Sequence, residues 1–155
     1  MKRFVGLAVA AFVAVAATAA YADSMGSGMS AKPAIFTPST IKWAAGTGEL
    51  KGLMVAVLDG NPSKAGPWTI RIKLPAGTKF PVHFHNDTER VTVISGTFLA
   101  AIGSTFDESK LMALPAGSFV VIPGGVRHFA ETKVATVVQL SGTEAFAMKM
   151  DKPGM

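Results

Sequence analysis

The sequence has no cysteine, three histidines and few charged residues. Without cysteine the chain can form neither a disulfide framework nor a thiolate metal site, and it has no cysteine nucleophile. Charged residues make up 16% of the 155 residues, and the basic ones form no run interleaved with aromatic side chains. Nucleic acid is therefore not an expected partner. The stability of the fold has to come from packing, with or without a metal ion.

Several common catalytic motifs are also missing. The chain has neither a G-x-S-x-G nucleophile elbow nor a glycine-rich loop that would cradle a phosphate. No stretch beyond the first two dozen residues combines long helical periodicity with a cap. These absences argue against a serine nucleophile and against phosphate binding, and they leave an all-β chain as the expectation.

The N-terminus has the pattern of a secretory leader. A basic pair at residues 2–3 precedes an apolar, alanine-rich run over residues 4–20, and residues 20–22 read Ala-Tyr-Ala, a small-x-small cleavage site. The run is shorter than the roughly 20 apolar residues that span a bilayer. We therefore predict a cleaved signal peptide over residues 1–22, a periplasmic or secreted protein, and no membrane attachment afterwards. Cleavage removes two of 15 basic residues and none of the 10 acidic ones, which leaves a net charge of about +3.

The rest of the chain is predicted to be one β domain behind a short linker. Residues 23–34 are small and rich in Gly and Ser, and they are predicted to be a flexible segment whose methionines are incidental. Residues 35–155 alternate short runs of Val, Ile, Phe and Thr with Gly and Pro turns, which is typical of an antiparallel sandwich or barrel. The predicted strands are Gly52–Leu58, Trp68–Leu74, Phe80–His85, Arg90–Ser95, Thr97–Ile102, Ser118–Ile122, Arg127–Glu131, Val134–Leu140 and Glu144–Met150.

All three histidines fall where strands would bring them together. Because side chains alternate along a strand, His83 and His85 share one face and Phe84 takes the other. Glu89 opens the returning strand, and His128 lies on another strand beyond a Pro-Gly-Gly turn. A single histidine would be explained as a polar residue tolerated on a strand, but three with a glutamate suit one divalent transition metal, such as Mn, Fe, Co, Ni, Cu or Zn.

These residues resemble the two conserved motifs of the cupin superfamily. The first motif matches the spacing of Gly77, His83, His85, Glu89 and Gly96. The second motif matches the spacing of Gly117, Pro123, Gly125 and His128. The flanking segments, over residues 43–150, look like small exported single-domain bacterial cupins. The resemblance implies an all-β, double-stranded β-helix (jelly-roll barrel) that holds one metal ion with His83, His85, Glu89 and His128.

Strand alternation also predicts the lining of the barrel. The residues expected to face inward and form a substrate pocket are Ile70, Ile72, Val91, Val93, Ala130 and Thr132. Thr132 stands where the second cupin motif usually has an asparagine that is not a ligand, and its hydroxyl either reaches the cavity or serves β-propensity alone. Arg71 and Lys73 are expected to face outward, so nothing in this lining could clamp a sugar phosphate.

The ligands and the lining together suggest a function. A metal with open positions can activate dioxygen, polarise a carbonyl or generate a hydroxide, and cupins are known for all of these. The apolar lining favours a dioxygenase-type oxidoreductase for a small apolar, aromatic or diketone-like compound, with Glu89 as ligand and proton carrier, as in the flavonol-cleaving cupins that the first motif resembles. The alternatives are a non-catalytic metal or small-ligand binder and a zinc- or manganese-dependent isomerase or hydrolase. The resemblance also suggests a homodimer.

Overall fold

The computed structural model describes residues 33–150. The predicted signal peptide and all but the end of the predicted flexible segment lie outside the described residues. Within residues 33–150 the only helices are two short 3-10 segments, Gly48–Leu50 and Glu108–Lys110. Neither is long and apolar enough to cross a membrane.

Eleven strands follow one another through residues 33–150. They are β1 (Ala44–Ala45), β2 (Met54–Gly60), β3 (Trp68–Leu74), β4 (Lys79–His85), β5 (Glu89–Ser95), β6 (Thr97–Ile102), β7 (Met112–Pro115), β8 (Phe119–Ile122), β9 (His128–Glu131), β10 (Thr136–Gly142) and β11 (Met148–Met150).

The strands form two antiparallel sheets. One has six strands in the order β1-β2-β3-β10-β5-β8, and the other has five in the order β11-β4-β9-β6-β7. Consecutive strands β3 and β4 lie in different sheets, as do β4 and β5, so the chain crosses repeatedly from one sheet to the other. This is the arrangement of a jelly roll, and it confirms the predicted fold class.

The core lies between the sheets, and β3 shows why. Its residues at 68, 70, 72 and 74 are buried, because alternation turns these apolar side chains inward. On the outer face, Arg71 donates from Nε to Oε1 of Gln139 at 3.0 Å. Lys73 Nζ lies 4.3 Å from the centre of the Trp43 ring, within cation–π range. Both basic residues therefore face away from the interior, as predicted.

Two strands were not among the predicted ones. β1 is only two residues long. β7 ends at Pro115, pairs only with β6 and forms the edge of the five-stranded sheet. A proline has no N–H to donate to a ladder and is tolerated on an edge strand.

The last predicted strand is mostly a connecting segment. The structure begins β11 at Met148, whereas the prediction began at residue 144. The backbone N–H groups of Thr143 and Glu144 donate to the carboxylate of Asp87, at 2.6 and 3.0 Å. The N–H of Phe146 donates to the carbonyl of Pro62 at 2.7 Å. These bonds divert the backbone from a ladder and hold residues 143–147, the β10–β11 connection, against two other turns.

Candidate metal centre

The three histidines meet across the pairing of β4 with β9. His83 is the register partner of His128, and His85 lies one alternation further along β4 on the same face. All three are buried, with exposed fractions of 4, 6 and 3% for His83, His85 and His128. Their candidate ligand atoms lie within 4.8 Å of one another. Three buried histidines that lie this close together could hold one metal ion.

A backbone carbonyl orients each imidazole. The Nδ1 atoms of His83, His85 and His128 lie 2.7, 2.8 and 3.0 Å from the carbonyl oxygens of Pro81, Ala147 and Val126, respectively. Because a carbonyl only accepts hydrogen bonds, the proton of each neutral ring sits on Nδ1. The Nε2 atom then carries a free lone pair. Such a second hydrogen bond is typical of metal-ligating histidines.

Glu89 brings a carboxylate to the same place from the other sheet. It is the first residue of β5, and its side chain is 12% exposed. Its carboxylate oxygens lie 3.6 Å from Nε2 of His85 and 3.3 Å from Nε2 of His128. Neither of these Nε2 atoms has a hydrogen-bond partner. Acceptor atoms that face one another in a buried site are unfavourable unless a cation lies between them, so the residues present fit a metal ion.

Protonation states at neutral pH suit such an ion. Burial lowers the pKa of His83 from its ordinary 6.5 to about 4, so this ring is neutral. Burial opposes the ionisation of Glu89, but an imidazole that carries a proton on Nε2, that of His128 foremost, outweighs it and lowers the pKa of Glu89 below its usual value. A neutral imidazole and an ionised carboxylate are the forms that bind metal.

Apolar side chains enclose the centre. A cavity of about 30 Å³ touches His83 and Glu89, and one of about 20 Å³ touches His85 and Glu89. A water molecule needs on the order of 10–15 Å³, so the first has room for two or three and the second for one or two. The apolar residues around the first are Leu50, Ile72, Leu74, Phe80, Phe98, Val138, Leu140, Phe146 and Met148.

The predicted pocket residues are all buried or nearly so, with different roles. Ile72 lines the cavity beside His83 and Glu89. Ile70 and Val91 belong to the hydrophobic core cluster. Val93 and Ala130 are each 2% exposed. Among these residues only Ile72 borders the cavity beside His83 and Glu89, while Ile70 borders a larger cavity nearby.

Thr132 departs from its expected role. It follows the last residue of β9, and its hydroxyl donates to the carbonyl of Pro75 at 2.7 Å. Its N–H donates to the carbonyl of Thr78 at 2.9 Å. The strand phase used for the prediction no longer applies once the ladder has ended. The hydroxyl secures a turn, and Thr132 does not line either of the small cavities beside the histidines.

Sequence reasoning missed Phe146 and the carbonyls that orient the rings. Two of those carbonyls belong to the residue two positions before the histidine. A contact over so short a distance along the chain could have been predicted from the local sequence. The third, on Ala147, is 62 residues from His85. Phe146 lies in the β10–β11 connection, and no signal in the sequence marks it as a neighbour of the centre.

Comparisons with known proteins agree with this architecture. The profile of the ChrR cupin-like domain matches residues 31–147. An RmlC-like cupin from Shewanella frigidimarina NCIMB 400 has a similar structure, with 19% identity over 76% of this chain and 95% of its own, and a TM-score of 0.57. A comparison with curated proteins finds no match.

Two further solved structures resemble the chain. A candidate acetylacetone dioxygenase from Methylibium petroleiphilum PM1 is 20% identical over 79% of this chain and 83% of its own, with a TM-score of 0.57. A cupin-2 domain protein from Rhodospirillum rubrum is 15% identical over 79% of this chain and 82% of its own, with a TM-score of 0.58. At these identities the likeness establishes the fold alone.

Proposed function

Because the chain belongs to the ChrR cupin-like family, we propose that it is an exported, metal-dependent oxidoreductase of the dioxygenase type. Its substrate is a small apolar or aromatic compound, β-diketones included. The observation that carries the proposal is the convergence of three buried imidazoles and one carboxylate in an apolar enclosure. A candidate acetylacetone dioxygenase with the same fold supports it as an analogy.

Four side chains would hold the ion. Nε2 of His83, His85 and His128 and a carboxylate oxygen of Glu89 are the ligand atoms, an N/O set suited to Fe, Mn, Co, Ni, Cu or Zn. A metal bound there supplies Lewis-acid chemistry, and redox chemistry if it is Fe, Mn or Cu, at the positions the protein leaves open.

The chain's own residues supply orientation, enclosure and proton transfer. Three backbone carbonyls hold the imidazoles in the Nδ1-protonated tautomer. The apolar lining excludes bulk water and favours an uncharged compound over an anion. Glu89 is ionised and lies within 3.6 Å of two imidazoles, so its free oxygen can accept the acidic C–H or O–H proton of a β-diketone or catechol held at the centre.

The test is oxygen consumption by the mature chain. We would express it from Asp23 without a histidine tag, load separate samples with Fe, Mn, Ni, Cu and Co, and supply flavonols, catechols and β-diketones. Substrate-dependent oxygen uptake with at least one metal is expected, and it should be absent from a His83→Ala, His128→Ala double variant. No uptake with any combination would overturn the dioxygenase assignment.

A second function is favoured by the small size of the enclosed space. Cavities of about 20 and 30 Å³ have no room for an organic substrate beside the metal ligands in the observed arrangement. A non-catalytic metal-binding protein needs no such room. One tightly held metal ion per chain without any turnover would support this second function.

A further inference from the structure

A larger cavity opens close to the metal centre. Its volume is about 520 Å³, within the range of about 300–1,000 Å³ typical of ligand pockets. Its walls come from β1, the 3-10 segment Gly48–Leu50 and the β2–β3 hairpin. Val57 and Ile70 give it apolar surface. We call this space the outer cavity and the 30 Å³ space beside His83 the inner cavity.

Two side chains stand between these spaces. Phe146 lines the outer cavity, the inner cavity and the small space beside His85. Leu50 lines the outer and inner cavities. The Phe146 ring centre is 5.6 Å from that of His85 and 5.8 Å from that of Trp68. A single aromatic ring thus borders both the metal centre and a cavity large enough for a ligand.

We infer that the outer cavity receives the substrate and that Phe146, together with Leu50, is the gate between this cavity and the metal centre. The inference rests on the proposed function. The inner cavity has room for about two or three water molecules, so a compound with seven or more heavy atoms reaches the proposed ligands only when part of the wall moves.

The part that moves is the side chain of Phe146. The backbone around it is held on both sides, because its own N–H donates to Pro62 and the N–H of Thr143 donates to Asp87. The carbonyl of Ala147 accepts from the His85 ring. Opening the whole β10–β11 connection would break this hydrogen bond, which fixes the tautomer of the His85 ring. Rotation of the partly exposed Phe146 into the outer cavity breaks none of these bonds, and such rotamer changes are fast.

The lining of the outer cavity indicates the class of ligand. Its rim carries one cation, Lys42, and one anion, Glu49, while its walls include Val55, Val57 and Ile70. Opposite charges at the rim give no net attraction for a strongly charged ligand. An uncharged compound with a flat apolar body, which can pack against the Phe146 ring, is the best match.

Cysteine labelling tests the gate without metal or turnover. The chain has no cysteine, so an introduced one is its only thiol. Val138→Cys places this thiol in the wall of the inner cavity, and Val93→Cys places a matched control at a site with the same 2% exposure that does not line it. Each thiol is treated with methyl methanethiosulfonate and with a bulky aromatic maleimide.

The gate predicts a selective effect. Adding Phe146→Ala should raise the maleimide rate at Val138→Cys by at least about tenfold and leave the Val93→Cys rate within about twofold. Filling the outer cavity with Val57→Trp should lower the maleimide rate at Val138→Cys and spare the small reagent. Phe146→Leu provides a milder variant if Phe146→Ala does not fold.

Two results would overturn the gate. One is an equal increase at both cysteines, which reports general unfolding, and the other is a maleimide rate that neither Phe146 nor Val57 variants change. The labelling experiment tests the gate and the oxygen-uptake experiment tests the proposed function, so either result can be negative without the other. A chain that consumes no oxygen but shows selective labelling loses the proposed function and keeps the gate, and a chain with turnover but unselective labelling does the reverse.

Discussion

The two sheets contribute opposite chemistry to the interior. The six-stranded sheet turns a mostly apolar face inward from β3, β5 and β10, with Glu89 at the start of β5 as its one contribution to the centre. The five-stranded sheet turns three imidazoles inward from β4 and β9. The same alternation places both sets. The apolar face needs only volume that fits, but each imidazole also needs a carbonyl on its second nitrogen. One face is thus specified by shape and the other by hydrogen-bond direction.

The largest expected effect comes from removing imidazoles from the five-stranded sheet. His83→Ala combined with His128→Ala takes away two of the four proposed ligands, so bound metal should fall from about one ion per chain to below about a tenth. Elemental mass spectrometry of the untagged protein measures this. Val91→Ala, on the apolar face, is the control and should keep its metal. Equal metal contents in the double variant and the wild type would contradict the assigned ligands.

The second contrast is pH dependence, which the imidazole face has and the apolar face lacks. Burial lowers the pKa of His83 to about 4, so between about pH 6.5 and 4 the unfolded chain binds a proton that the folded chain does not. The free energy of unfolding of the metal-free protein should therefore fall as pH falls through this window, by on the order of 3 kcal/mol at most. It should be constant above the window.

Urea unfolding of chelator-treated protein at several pH values measures this slope. His83→Gln removes the titrating ring and should flatten the profile, while Val91→Ala should shift it down without changing its shape. If the free energy of unfolding of His83→Gln still falls with pH as in the wild type, a group other than His83 causes the pH dependence.

The smallest expected effect is on the apolar face itself. Val91 is 3% exposed and belongs to the core cluster. Its replacement by alanine removes two methyl groups from the core, which should cost about 2 kcal/mol of unfolding free energy. Urea unfolding above pH 7 gives the value. A loss of metal in this variant would show that the two faces are coupled more closely than their chemistry suggests.

The sequence allowed the convergence of the histidines and the sheet faces to be predicted because both depend on local rules. Alternation placed Ile70 and Ile72 inward and Arg71 outward. The motif spacing pointed to His83, His85 and His128, which the structure brings together. These rules hold only while a residue stays in a ladder. Thr132 lies just past β9, and its hydroxyl donates to the carbonyl of Pro75.

Features made by distant segments could not be predicted. The carbonyl that orients His85 belongs to a residue 62 positions away. Phe146 reaches the centre because Asp87 and Pro62 hold the connection in which it lies. The local sequence does not predict such long-range contacts, since they depend on how the two sheets finally pack.

The pairing of β4 with β9 also has a consequence for the order of events in folding. It joins His83 to His128 across a long stretch of chain, and contacts of this kind form slowly because a large loop has to close first. The three histidines and Glu89 are therefore expected to come together only when the chain has nearly reached its native state. A metal ion that bound them only then would add little to the rate of folding. Its main effect would be to slow unfolding of the finished barrel.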